Sequence, residues 1–236
     1  MRKNLLFSKK TSSYLIYAIG EIILVMIGIL LALYINNWNE NRRQDKKLNT
    51  ILETVRNDLV TDTLVATRII KFYDSINKYS TKVINYEYDK ANIEDCILCR
   101  SLITLYQPFT VQDKGYSMLL TFEELDNIKP DSLQVSIIQF YKSMTTILDQ
   151  SNDFVKSETL KNLQHYRTKD WFIDWMQGRF TKEMKVYFGS SIDYKNRVAS
   201  NLILASTNHG SFIKTHKAGA VELITRIDKR FNKKEN

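Results

Sequence analysis

The sequence predicts an all-α protein: one N-terminal transmembrane helix continuing into a long stem helix, packed with further helices into an elongated helical bundle. Three observations predict it. Pro occurs twice and Gly seven times in 236 residues, too few turn formers for a chain of short strands. Leu15–Ile35 is an apolar run of 21 residues with a single charge, Glu21. Beyond it, from Leu48 to Val83, apolar residues recur at alternating steps of four and three, the spacing of a helix with one buried face.

Residues 1–13 form a short basic tail, with Arg2, Lys3, Lys9 and Lys10 and no acid. Residues 14–38 hold the transmembrane helix. At about 1.5 Å per residue its apolar run spans about 30 Å, the thickness of a bilayer's hydrocarbon core. Tyr14 and Trp38 flank it where an aromatic belt lies, and Asn36, Asn37, Asn39, Glu40 and Asn41 end it abruptly. A cleaved signal peptide has an apolar core of about 7–15 residues followed by small residues. Here the run is longer and leads into Tyr34, Ile35 and Trp38, so the segment is expected to remain as an anchor. Arg42, Arg43, Lys46 and Lys47 on the far side equal the tail in Lys/Arg count. The short tail with its free amine is the end harder to justify moving, so the N-terminus is expected in the cytoplasm and residues 39–236 outside it.

The net charge is +8, of which +5 lies in residues 1–47, next to lipid headgroups. The remainder is nearly balanced and has no basic stripe, so nucleic acid is not an expected partner. The partners expected are the lipid bilayer and, through the membrane helix, either a second copy of the chain or another membrane protein.

The segment YAIGEIILVMIGILLALYINNWNE, Tyr17–Glu40, resembles the N-terminal signature of an uncharacterised family of Gram-negative bacterial single-pass membrane proteins. GYSMLL (Gly115–Leu120) and NIKPDSLQVSIIQFY (Asn127–Tyr141) are similar to two downstream segments of that family, with Ser117 where an acid is common. The resemblance implies a membrane location; with the orientation expected from the tail, the membrane is a bacterial inner membrane and the domain is in the periplasm. It implies no activity.

The stem helix is expected over residues 40–88, with Leu48, Leu52, Val55, Leu59, Ala66, Ile69, Tyr73, Ile76 and Val83 in its seam and Asp62 and Ser80 as polar interruptions. That seam faces either the protein's own later helices or a second copy in a parallel coiled coil. Bundle helices follow over residues 92–232. Asn92, with Asp95 in the capping-box place, starts a helix over Ile93–Tyr106. QPFTVQDKGYS is a loop leading to a short helix at Tyr116–Leu125. Lys129-Pro130-Asp131-Ser132 starts a long helix reaching Tyr166, with Leu133, Ile137, Phe140, Tyr141, Met144, Ile147, Leu148, Ser151, Phe154 and Val155 on one face. The aromatic stretch Trp171–Phe188 is expected in the core. After Gly189-Ser190-Ser191, a last helix runs from Asp193 to Phe231, bent at Gly210 and Gly219.

Few residues carry a chemical signature. No GxGxxG, Walker, GxSxG or HExxH pattern occurs, so no cofactor, metal or catalytic residue is assigned. Cys96 and Cys99 form a CxxC without a preceding strand or a second ligand pair. They are expected to be structural, as two half-buried thiols on a helix or as a local disulfide. His209 and His216, seven apart, share a helix face with Phe212 and Ile213 and read as packing residues. Glu21 is the sharpest residue: ionised inside a bilayer it costs about 2.5–3.5 kcal/mol, which a contact across helices would offset. Gly20 beside it, and the small pair Gly28 and Ala32, suit close helix approach. The expected function is a binding or interaction domain held at a membrane. The alternatives are a self-associating structural component of a cell-envelope complex and, third, a periplasmic enzyme or redox protein using Cys96 and Cys99.

Overall fold

The structure, a computed structural model, describes residues 9–126 and 131–235, and side chains within 15–122 and 131–232. Arg2, Lys3, Asn127, Lys129 and Pro130, and the side chains of Lys9, Lys10, Tyr14, Glu123, Glu124, Lys233 and Lys234, lie outside the described residues. Among those described there is no strand; the elements are helices and turns. The chain divides into two compact units, Met1–Thr50 and Ile51–Asn236, and the boundary falls within the first helix, α1 (Lys9–Ile84). In the first unit α1 is helical without interruption, as expected of a run that lacks Pro.

In the second unit the heptad spacing has its predicted effect. The ten seam positions of this unit, from Leu52 to Val83, are buried, Asp62 and Ser80 included, as is Leu48 in the first unit. The seam is covered by later helices of the same chain. Ala66, Ile69 and Tyr73 pack with Phe109, Leu148, Val155, Ala205 and Ile213. Ile76 and Val83 pack with Ile93, Tyr166, Trp171, Met184, Phe188 and Tyr194. Burial of a side chain of this size is worth about 1.5–3 kcal/mol, so the seam alone outweighs any propensity within α1. Arg56 to Asp228 (2.6 Å) and Lys214 to Asp74 (2.8 Å) tie its flanks to the C-terminal helix.

α1 stops at Ile84, short of the expected Tyr88. Glu87 N–H donates to Lys82 O and Tyr86 N–H to Val83 O, closing the helix end while Tyr86 takes φ 61°. Glycine is the usual residue there. Tyrosine is held instead by Lys195, whose Nζ lies 3.4 Å from the ring centroid.

The largest departure from expectation follows. Ile93–Tyr106 is not an α-helix. It forms two single turns of 3₁₀-helix, Ile93–Asp95 and Leu98–Arg100, then irregular backbone to Asp113. Its buried residues explain why: Ile93, Cys96, Cys99 and Leu102 recur every three positions, the period of a 3₁₀ turn. Asn92 caps no helix; its side chain accepts from Asp89 N–H and donates to Glu87 O, closing the preceding loop.

α2 (Lys114–Asp126) begins two residues earlier than its predicted start. Gly115 is obligatory there: a Cβ would lie 2.4 Å from Val55 N in α1. α3 (Ser132–Arg167) starts where predicted, with Asp131 as N-cap and a full capping box with Gln134. Of its predicted face, Phe154 is 65% exposed instead of buried. α4 (Phe172–Met176) and α5 (Lys182–Ser190) carry the aromatic stretch, and Trp171 and Phe188 enter the core as expected.

Ser191 ends α5 and caps α6 (Ile192–Asn201) through Tyr194 N–H. The predicted last helix is continuous in direction but not in type. A π-helical stretch, Leu202–His209, joins α6 to α7 (Gly210–Glu235). The buried positions Asn201, Ala205, His209 and Ile213 step by four three times running. In an α-helix each such step rotates about 40° off the face; a wider turn keeps all four directed inward. At Gly219 a Cβ would meet the Phe140 ring at 2.5 Å, so the glycine admits that ring.

Candidate functional site

The backbone from Cys99 to Gly115 is partly buried, and an unpaired N–H or C=O there costs free energy. Buried and half-buried side chains on the surrounding helices satisfy it. Tyr194 donates to Cys99 O, Trp175 Nε1 to Arg100 O (3.0 Å), Asn201 to Leu102 O (2.9 Å) and Asn162 to Ile103 O (3.1 Å). Tyr73 donates to Gln107 O (2.8 Å), and Asn152 bonds both the N–H and the C=O of Phe109. Asp62 accepts from Gln112 N–H (3.1 Å) and Asp58 from Gly115 N–H (2.7 Å). The polar break in the seam at Asp62 therefore has a structural purpose, which only the folded loop reveals.

Asp62 also sits 3.6 Å from His216 Nε2, both at most 1% exposed. Burial pushes the Asp62 carboxyl up to about 7, against the Gln112 N–H, and pushes His216 down to about 4. Both groups are thus held neutral at the pH where each is usually charged. His216 packs between Phe109 and Phe140, each ring centroid 5.0 Å away.

His209, also fully buried, bonds Ser151 through Nδ1 at 2.8 Å. The Ser151 hydroxyl also lies 2.9 Å from Leu148 O, so it has two partners inside the bundle. Both side chains are buried, which makes this a contact within the core. Burial pushes His209 down to about 4. The two histidines thus take separate partners and form no ligand pair. A cleft of about 290 Å³ beside Ser151 is bordered by Ile147, Phe154, Leu204 and Phe212, which gives exposed Phe154 apolar neighbours.

A third group joins α3, α5 and α6. His165 Nδ1 accepts from Arg197 (3.1 Å), and Nε2 faces Asp193 (2.9 Å) and Tyr187 (3.1 Å). Partial burial and the Arg197 charge lower the His165 pKa. For Asp193 burial acts upward, but the Tyr187 hydroxyl and Arg197 outweigh it and hold the carboxyl below its usual value.

Cys96 and Cys99 are joined by a disulfide with Cα atoms 5.3 Å apart. Cys99 stands in the second 3₁₀ turn and Cys96 between the two turns, neither on an α-helix, and at 4% and 0% exposure they are buried, not half-buried. A four-residue loop gains only about 2 kcal/mol from such a cross-link by chain entropy.

In the first unit, the residues singled out from the sequence lie on an exposed helix. From Leu15 to Ile35 no side chain is buried, and an 18-residue window has mean hydropathy 2.6. At 100° per residue, Glu21, Gly28 and Ala32 fall within about 40° of one line along the helix, whereas Gly20 lies about 100° away from Glu21. Gly20 and Gly28 both have open space where a Cβ would stand. After the run, Arg42 lies over Trp38 (5.7 Å) and Arg43 pairs with Glu40 (3.0 Å).

The missed residues are those that serve the loop: Asn152, Asn162, Asn201, Tyr194 and Asp58. Their signal in the sequence was limited to polar residues at positions that continue an apolar face, as with Asp62. Among the described residues no group of three or more His, Cys, Asp or Glu is placed to hold a metal ion. No curated protein and no solved structure matches the chain. A family of unknown function (DUF6090) matches residues 21–151, more than half of the chain, a span that holds most of the apolar run, the Asp58–Gly115 and Asp62–Gln112 contacts and the disulfide. The chain belongs to that family of unknown function.

Proposed function

We propose that the protein is anchored in a bacterial inner membrane by Leu15–Ile35, with its N-terminus in the cytoplasm, and presents a helical interaction domain in the periplasm. The observation that carries the reading is the apolar helix surface, exposed on all sides over 21 residues. Such a surface is tolerated in lipid and not in water. The disulfide supports the orientation, because disulfides persist in oxidising compartments. The line of Glu21, Gly28 and Ala32 supports a partner within the membrane, since Leu at position 21 would insert at lower cost. Self-association by a parallel coiled coil through the Leu52–Val83 seam is disfavoured, because the chain's own helices occupy that seam.

Two measurements test this. The full chain should stay in the membrane fraction after alkaline carbonate washing, and a reporter fused after Asn236 should be active only outside the cytoplasm. A carbonate-soluble chain beginning near Trp38 would refute the anchor, and a cytoplasmically active reporter would reverse the orientation. Purification from mild detergent then separates the classes: a defined second membrane protein supports an interaction domain, and the chain alone supports self-association.

A further inference from the structure

The Cys96–Cys99 disulfide differs from the rest of the core around it in having an opening. A cleft of about 420 Å³ reaches it, bordered by Tyr79, Tyr88, Asp95, Cys96, Ile97 and Leu98. Cys96 thus borders space that a small molecule can enter, while Cys99 is entirely enclosed. The two sulfurs are unequal in a second respect. Cys99 N–H donates to Cys96 Sγ at 3.2 Å, a hydrogen bond that favours the thiolate form of Cys96. Between them Ile97 is 76% exposed at the cleft's edge, an apolar residue that contributes nothing to the core. The loop closed by the bond is four residues long, the size for which a cross-link restrains the unfolded chain least. A cysteine bordering a cleft, with a thiolate-stabilising donor on its sulfur, paired with an enclosed one, is the arrangement that thiol–disulfide exchange requires.

We propose that Cys96–Cys99 is an exchange-active disulfide that reacts with external dithiols, Cys96 being the sulfur attacked and Cys99 the enclosed resolving partner. A thiolate of the dithiol attacks Cys96 Sγ. The Cys96–Cys99 bond breaks, and Cys99 leaves with the electron pair and takes up a proton. The second thiol of the dithiol, its proton lost to water, attacks the mixed disulfide and expels Cys96 as a thiolate facing the Cys99 N–H. The dithiol has lost two electrons and holds a disulfide; Cys96 and Cys99 have gained them. The reverse sequence reduces an external disulfide. Asp95 in the same cleft repels an anionic attacker and sets the rate below that of an uncharged opening.

The inference is independent of the orientation proposed above, because the test uses purified full-length protein in mild detergent. Millimolar dithiothreitol near neutral pH should reduce the disulfide while the far-ultraviolet circular dichroism stays unchanged, and oxidised dithiothreitol should restore it. In single-cysteine variants, Cys96 of Cys99→Ser should react with 5,5′-dithiobis(2-nitrobenzoate) at least about tenfold faster than Cys99 of Cys96→Ser, the ratio expected from thiolate stabilisation and access. Reduction that occurs only when denaturant unfolds the chain would identify a structural staple and overturn the proposal. Equal reactivity of the two thiols would overturn the assignment of Cys96. If neither variant folds, the wild-type reduction decides the matter alone.

Discussion

Replacing Gly115 by Ala tests the packing of α2 against α1 at a defined point. An alanine Cβ would lie 2.4 Å from Val55 N, 2.6 Å from its Cα and 2.8 Å from its Cγ2. Ordinary contact begins near 3.4 Å, so the two backbones must separate by about 1 Å, and backbone in a helix cannot rotate aside as a side chain does. Separation lengthens the Gly115 N–H to Asp58 Oδ2 bond, 2.7 Å in the structure, beyond about 3.2 Å, where it ceases to count. Losing a hydrogen bond to a charged group costs about 1.5–3 kcal/mol, and overpacking costs about 1–3 kcal/mol. The sum, about 3–5 kcal/mol, is a large share of a domain's total stability of about 5–15 kcal/mol. At about 2–4 °C per kcal/mol for a domain of this size, Tm should fall by roughly 10 °C or more. The assay is thermal and urea unfolding of the full chain in detergent, followed by circular dichroism at the helix band. Gly28→Ala is the control: its Cβ meets nothing within 4 Å, so the domain's unfolding midpoint should not move. A loss below about 1 kcal/mol for Gly115→Ala, within the range of an ordinary surface change, would refute the close approach.

Asp62→Asn keeps an acceptor for Gln112 N–H and removes the buried charge. Because the folded carboxyl titrates near 7 and an unfolded one near 3.8, wild type bears a cost that is complete above pH 7 and vanishes as pH falls toward 4. The variant should therefore be more stable than wild type by about 2 kcal/mol at pH 8, with the gap closing on acidification, and a pH-independent gap would refute the assignment. His209 and His216 act oppositely: folded values near 4 against an unfolded 6.5 mean stability is lost as pH falls from 6.5 to 4, and protein with both residues replaced by Phe should show a shallower acid loss in denaturant titrations. Asn162→Leu orphans Ile103 O and one Arg197 contact inside the bundle and should cost about 2–4 kcal/mol by urea unfolding, where an unchanged midpoint would show that the loop carbonyl is satisfied otherwise. Glu21→Leu should still insert but weaken cross-linking from a cysteine placed at Ile22, whereas Glu21→Gln should retain part of it; equal cross-linking in all three would mean that the carboxylate makes no contact across helices.

The class of the fold, the extent of the apolar run and the register of α1 are all legible in the sequence. Each of these depends on local periodicity. A helix that buries one face must repeat apolar residues every three to four positions, and the seam from Leu48 to Val83 does so whatever covers it. The start of α3 was legible for the same reason: Asp131 and Gln134 are three residues apart and satisfy each other's backbone without help from elsewhere. At Ile93–Tyr106 the three-residue spacing of Ile93, Cys96, Cys99 and Leu102 is present in the sequence and marks a tighter turn than an α-helix.

The pairing of buried polar groups, by contrast, is fixed only in the folded chain. Asn162 and Ile103 are 59 residues apart, Asn201 and Leu102 are 99 apart, and nothing local to any of them names its partner. The same holds for Asp62, which interrupts an apolar seam to meet the Gln112 N–H, and for Gly115, whose missing side chain matters only because Val55 lies against it. A hydrophobic face needs only to be covered, and many surfaces will do. A buried donor or acceptor needs one partner at about 3 Å in the right direction, and that requirement is met or missed only when the whole chain is in place.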